Sequence, residues 1–365
     1  MSKEEKPVFH GSDVEKIAEK YGLDKNKITS FSANVNPLGI SPVLREKLRE
    51  NVDCIERYPD REYRTLKTAI ADYLNCHTNN IMVGNGTTEL ISLFIGIASP
   101  RRAIIVGPTY SEYERCVNIA GGKTSYFPLR EENGFSLDMD LLCERITPDT
   151  DLIILCSPNN PTGTAIKRSD MRKLLDVAKE RSCYVMVDET YIEFCDDEKE
   201  LTAIPLVESH NNIVILRSTS KFFACPGLRL GYAITADDDT LSSAGRKKNP
   251  WMIHTLAAEN AMYMFSDTEY IRETKELISA ERERLYEKYK NSERFLPFRP
   301  KANFMLMKIK EDGLKSSVLF EKAIRENMMI RDCQSFPFLD DSFIRICFMK
   351  KEDNDRLFDC LTGKI

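Results

Sequence analysis

One lysine in this sequence stands where an amine could do covalent chemistry. Lys221 closes the run Arg217-Ser218-Thr219-Ser220-Lys221, directly after the apolar stretch Ile213 to Leu216, and Arg229 follows eight residues later. An amine can form an imine with a carbonyl, while Ser218 and Arg229 suit phosphate oxygens. A second apolar stretch, Tyr184 to Val187, ends in Asp188-Glu189-Thr190-Tyr191. An acid there is costly to bury without a cationic partner, and a pyridinium nitrogen would be one. A third, Leu152 to Cys156, runs into Ser157-Pro158-Asn159-Asn160-Pro161-Thr162-Gly163. That is a rigid loop carrying side-chain amides able to donate to a ligand oxygen. A fourth, Ile81-Met82-Val83, is followed by Gly84-Asn85-Gly86-Thr87-Thr88-Glu89 and an apolar helix. Free amides and the helix dipole at such a start favour an anion. The loop lacks the third glycine of a dinucleotide fingerprint and the Gly-Lys-Ser/Thr of a P-loop. Each motif alone also reads as an ordinary turn or helix cap. Their joint occurrence at four successive strand ends is what points to a site.

The elements that must position these residues follow from the pattern. Ala103 to Val106 adds another run of strand length, and each run is followed by turn residues. Between two runs lies a helix with Ser169 as its expected N-cap and Met171, Leu174, Leu175 and Ala178 on one face. Strands alternating with helices predict an α/β fold, a mostly parallel sheet covered on both faces by helices. In such sheets ligands bind beyond the carboxyl ends of the strands. The later chain differs. Tyr270 to Lys290 is a long charged helix pattern, and Phe304 to Ile309 and Phe343 to Phe348 read as strands around a helical stretch from about Leu314 to Asn327. This predicts a small α+β domain at 251–365, a large domain at 46–250 with Asn249-Pro250 as hinge, and an N-terminal arm at 1–45 that joins the small domain.

Composition narrows the class. The 365 residues are 42% hydrophobic, enough for a large packed core, and the net charge of -5 is mixed along the chain, so neither nucleic acid nor a membrane surface is the expected partner. The start, Met1 to Pro7, is polar and charged, unlike a secretory signal, and the longest apolar run, Leu90 to Ala98, is too short to span a bilayer. The eleven cysteines are scattered, without a C-x-x-C pair, and read as thiols of a cytoplasmic protein, with no metal site expected.

Taken together, these motifs resemble the fold-type-I pyridoxal 5′-phosphate enzymes, the aspartate aminotransferase superfamily, over nearly the whole chain. The S-x-S/T-K-x7-R spacing and the N-P-T-G loop carry the resemblance. It implies that Lys221 binds the cofactor covalently, that Asp188 pairs with the pyridine nitrogen, and that Tyr191 and Asn160 meet the ring hydroxyl. It assigns the cofactor phosphate to Gly86, Thr87, Thr88, Ser218 and Arg229, and the ring face to Tyr110. Tyr58, in Arg57-Tyr58-Pro59-Asp60, resembles a tyrosine that reaches the cofactor phosphate of a partner subunit, which implies a homodimer.

Within the superfamily the chain is similar to two groups acting on phosphorylated amines: the L-threonine-O-3-phosphate decarboxylases of cobalamin biosynthesis and the histidinol-phosphate aminotransferases. His10-Gly11-Ser12 and Phe31-Ser32-Ala33-Asn34-Val35-Asn36-Pro37-Leu38-Gly39 resemble the first group, except that Ser12 replaces the last glycine of H-G-G. The resemblance gives His10, Gly11, Asn34 and Asn160 to the substrate, and Arg331 and Arg345 to its anionic groups. The expected reaction is decarboxylation of O-phospho-L-threonine, with aminotransfer as the alternative. The cofactor residues suit both.

Overall fold

The computed structural model describes residues 11–363, so His10 lies outside the described residues. The arm begins with a helix, Val14–Tyr21, that the weak periodicity of this segment did not reveal. It buries only Ile17 and Ala18, and Gly22 ends it in the left-handed conformation at φ 63°. Strand β1 (Thr29–Ser30) follows.

Seven strands then form one sheet: β2 (Ile81–Gly84), β3 (Arg102–Gly107), β4 (Lys123–Pro128), β5 (Leu152–Cys156), β6 (Tyr184–Asp188), β7 (Ile213–Ser218) and β8 (Gly231–Ile234). Their order is β2-β8-β7-β6-β5-β3-β4, with β8 antiparallel to both neighbours and the others parallel. Successive residues of a strand enter different cores. Ile153, Leu155, Val185 and Val187 join one cluster, and Leu152, Ile154, Cys156 and Met186 the other. Burial on both faces is why these strands read as unbroken apolar runs.

The helix between β5 and β6 spans Arg168–Glu180, and its N-cap is Lys167, not Ser169. Lys167 is the last extended residue, at ψ 146°, so Ser169 already lies inside the first turn. Residues 255–266 form two short helices packed on the helices Pro42–Glu50 and Arg64–Leu74. The helix Thr268–Lys290 then leads to a smaller antiparallel sheet.

In that sheet β9 (Phe295–Pro297), β10 (Phe304–Ile309), β12 (Arg331–Asp332) and β13 (Phe343–Cys347) stand in the order β12-β13-β10-β9. The remaining strand, β11 (Met328–Met329), pairs in parallel with β1, so the arm is stitched to the C-terminal unit. Ile17, Ile324 and Met329 share a core beneath the junction. Among the described residues no helix is long and apolar enough to cross a membrane.

Candidate active site

The carboxyl ends of β2, β5, β6 and β7 open into one cavity of about 340 Å³, which the arm and the small sheet wall off from the other side. The anion loop is built first by exclusion. Gly86 sits at φ 79°, and a Cβ there would lie 2.3 Å from Nη2 of Arg229. A Cβ on Gly231 would lie 2.6 Å from the amide nitrogen of Thr87. Only glycine lets β8 and the Arg229 guanidinium close on the start of the helix Thr87–Ala98. The first amides of that helix have no partner within it. Thr87, Thr88, Ser218 and Arg229 line the cavity here. Arg229 is itself held at φ 51° with Nη1 donating to the Pro226 carbonyl at 3.0 Å.

Asp188, 5% exposed, ends β6 beside this loop. It accepts 2.7 Å from the Tyr113 hydroxyl and 2.9 Å from the Thr190 amide. Burial raises its pKa against the pull of those bonds and of Lys221. Two neutral donors stabilise the carboxylate without neutralising it, so the acid is poised for a cation in the cavity.

Lys221 is partly buried, and its Nζ donates 2.6 Å to the Ala33 carbonyl of the arm. Burial, followed by the charges of Arg345 and Arg229, draws its pKa down to about 8. An amine in that range is neutral often enough to attack a carbonyl. Tyr191 packs its ring edge-on to Phe304 at 4.9 Å, and its hydroxyl accepts 3.4 Å from the Asn34 amide. Tyr110 lines the wall beyond Tyr113.

On the far side two arginines stand opposite each other, Arg331 on β12 and Arg345 on β13, in direct register. Arg345 is 4% exposed, yet its hydrogen bonds go to neutral oxygens, the Asn160 side chain and the Ser32 carbonyl at 2.6 Å. Among the described residues its Nε has no partner. Arg331 donates 2.9 Å to the Ser335 hydroxyl, and burial and Arg345 lower its pKa. The Asn160 oxygen is taken by Arg345, which leaves its NH2 as a donor. Gly11 approaches so closely that a Cβ would meet the Ser32 carbonyl at 2.8 Å.

The cavity thus brings together the sequence-derived residues from four strand ends, the arm and the small sheet. Gly86 shapes it from just outside the wall. Tyr58 is not in it. This ring is 77% exposed, and its centroid lies 4.8 Å from that of Trp251 in a tilted pair on the outer surface.

Three contributors escaped sequence reasoning. Tyr113 supports Asp188, and its only signal is its place three residues after Tyr110 at a helix start. Gly231 left no signal beyond being a glycine after an apolar residue. Arg217 lies at the end of β7 on the opposite face from Ser218, where it bonds Glu189 at 2.9 Å and Glu193 at 3.0 Å. Complementary charges closing neighbouring strands, Arg217 after Leu216 and Glu189 after Asp188, could have shown it.

The site fits pyridoxal 5′-phosphate on its own chemistry. The glycine-cleared helix start could hold a phosphate, the buried Asp188 a ring nitrogen, and Lys221 an aldehyde carbon.

The comparisons agree with this fit. The family described as aminotransferase class I and II matches residues 26–361. A protein of Caldanaerobacter subterraneus subsp. tengcongensis provisionally named threonine-phosphate decarboxylase is 37% identical over 98% of this chain and 94% of its own. The threonine-phosphate decarboxylase of Salmonella typhimurium is 33% identical over 96% and 95%. The crystal structure of the histidinol-phosphate aminotransferase from Clostridium acetobutylicum superposes with a TM-score of 0.85 at 31% identity, covering 91% of this chain and 98% of that one.

Proposed function

The chain belongs to the aminotransferase class I and II family, whose enzymes use pyridoxal 5′-phosphate, and from that premise we propose that it decarboxylates a phosphorylated hydroxy-amino acid, O-phospho-L-threonine above all. The observation that carries the reading is the facing pair Arg331 and Arg345. Like charges directly opposite on adjacent strands repel, and among the described residues no carboxylate bonds Arg345. A substrate with two anionic groups, a carboxylate and a phosphate, would give the buried Arg345 the counter-ion it lacks among the described residues. The threonine-phosphate decarboxylases among its relatives support the choice of substrate.

In this reading Lys221 holds the cofactor covalently, Asp188 its ring nitrogen, Tyr191 and Asn160 its ring hydroxyl, and Tyr110 its ring face. Gly86, Thr87, Thr88, Ser218 and Arg229 hold its phosphate. Tyr58 reaches the same phosphate from a second copy of the chain. Gly11 and Asn34, with His10, bring the arm against the substrate. The cofactor supplies an electron sink for the pair left at Cα when a bond there breaks. Arg345 and Arg331 orient the substrate anions, which decides whether the carboxylate or the hydrogen on Cα is the group that leaves. When carbon dioxide departs, Cα takes up one proton, and the Lys221 amine, once free, is positioned to deliver it. The Ala33 carbonyl holds that amine at the cavity floor.

The test is product analysis with the cofactor-loaded protein, O-phospho-L-threonine and no keto acid. Carbon dioxide and 1-amino-2-propanol phosphate should form over many turnovers. No release, with amino transfer once 2-oxoglutarate and histidinol phosphate are supplied, would replace this reading by the aminotransferase one, to which the Clostridium structure is the pointer.

A further inference from the structure

In the arm motif Phe31 to Gly39, Asn36 lies outside the cavity wall yet meets the backbone of Lys221. Its amide donates 3.1 Å to the Lys221 carbonyl, and its side-chain Nδ2 lies 2.9 Å from the Phe222 carbonyl oxygen. The Ala33 carbonyl accepts from the Lys221 amine. A short stretch of arm thus reaches the lysine at three points: its tip, its own carbonyl and the carbonyl after it.

Lys221 needs such a hold because of where it stands. β7 ends at Ser218 and the next helical turn is Pro226–Leu228, so the lysine lies on irregular backbone between them. Loops move more than the elements they connect. This one also bends through Ala224 at φ 52°, a left-handed conformation that a residue with a Cβ keeps only under constraint. Asn36 is itself fixed from behind. It is 3% exposed, and its Oδ1 accepts from the Leu38 amide at 3.0 Å. Its Nδ2 also lies 2.9 Å from the Tyr270 hydroxyl oxygen and 2.8 Å from that of Thr274, both on the helix Thr268–Lys290. The Tyr270 hydroxyl gives its own hydrogen to the Gly39 carbonyl at 2.7 Å. The Asn36 NH2 has two hydrogens for three oxygens, so removing one acceptor still leaves both hydrogens placed.

We propose that Asn36 is a positioning residue for Lys221: it clamps the two peptide groups that follow the lysine, so that the amine meets the cofactor aldehyde in one geometry. The role rests on the reading that Lys221 holds the cofactor covalently. In that step the neutral amine adds to the aldehyde carbon and a C=N bond forms. The aldehyde oxygen leaves as water with the two amine hydrogens. The rate depends on how often the amine stands within reach and aligned, which is what the clamp on its backbone sets.

The experiment strips the full-length protein of cofactor, adds pyridoxal 5′-phosphate and follows covalent attachment by absorbance. Borohydride reduction and peptide mapping locate the bond. Asn36→Ala should attach about tenfold more slowly than wild type. Pyridoxamine 5′-phosphate, which offers no aldehyde, should bind both proteins with the same affinity. Thr274→Val, which removes one acceptor and leaves the Lys221 clamp in place, should attach at the wild-type rate. Asn36→Asp keeps the shape and the acceptor for Leu38 but loses the donor. It serves if the alanine variant does not fold, and it should slow attachment too. Attachment at the wild-type rate in the Asn36 variants overturns the proposal. So does an equal loss of pyridoxamine 5′-phosphate affinity, which would make Asn36 a support of the whole pocket. Lys221→Ala runs alongside. Attachment at another lysine in that variant overturns the Lys221 assignment and the clamp with it. No attachment there, with a wild-type rate in Asn36→Ala, overturns the role of Asn36 alone.

Discussion

Arg217 and Arg345 are both strand arginines with almost no exposure, 1% and 4%, and they do opposite things. Arg217 is surrounded by acids: Glu189 and Glu193, both buried, then Glu198, with the Thr202 hydroxyl at 3.0 Å. Arg345 faces another arginine and, among the described residues, bonds only neutral oxygens. Behind the strand ends the arginine is answered by acids of its own chain, though Glu193 Oε2 stays without a partner among the described residues, and in front of them the arginine is not answered. A buried charge already paired by its own chain holds the fold. A buried charge left without its counter-ion marks where a ligand belongs.

That contrast can be broken by substitution, most severely at the cavity amine. Lys221→Ala should reduce turnover by at least about 10⁴-fold, the scale lost when a nucleophile is removed. Its melting temperature should stay close to wild type, because among the described residues no carboxylate bonds this amine. Turnover near wild type would mean that another group carries the cofactor.

Next, Arg217→Met should cost about 3–5 kcal/mol of stability, since it leaves the buried Glu189 and Glu193 without their cation. Urea unfolding measures this, and a loss under 1 kcal/mol would show that the cluster is not what secures the strand ends. Arg345→Ala is the converse. Substrate affinity should fall by roughly 2–3 kcal/mol, the scale of a truncated charged contact, with little change in the unfolding midpoint. Cofactor loss with unchanged substrate binding would instead assign Arg345 to the cofactor.

The smallest effect is a pH slope. Burial raises Glu193 from 4.5 to about 7, against the pull of Arg217. The folded state then binds more protons than the unfolded one between those values, so stability falls as pH rises from about 4.5 to about 7. Glu193→Gln should flatten that part of the curve in chemical denaturation at stepped pH. An unchanged slope would place the proton on another member of the cluster.

The same division explains what could be read from the chain in advance. β5, β6 and β7 were legible because strands buried on both faces are continuous apolar runs with turn residues behind them. β4 was not, because an edge strand with half-buried side chains, Lys123-Thr124-Ser125-Tyr126-Phe127-Pro128, has no apolar run. β8 is four residues long and starts with the glycine that the anion loop needs. The helix of the arm was hidden because it buries two residues. The motif residues at the strand ends were legible by spacing, since each lies within a few residues of its own strand.

By itself, then, the sequence determined the alternation of strand and helix, and hence that Asp188, Asn160, Thr87 and Lys221 would reach one edge of a sheet. Those are local facts, dictated by side-chain periodicity and backbone stiffness. Only the tertiary structure decided which charges were already answered. Arg345 meets Asn160 across 185 positions and Asn34 meets Tyr191 across 157, while Arg217 finds its acids in the segment that follows the neighbouring strand β6. Whether an arginine is paired depends on which distant carboxylates the packed chain brings within hydrogen-bond range. That is a property of three-dimensional distance, which spacing along the chain does not encode.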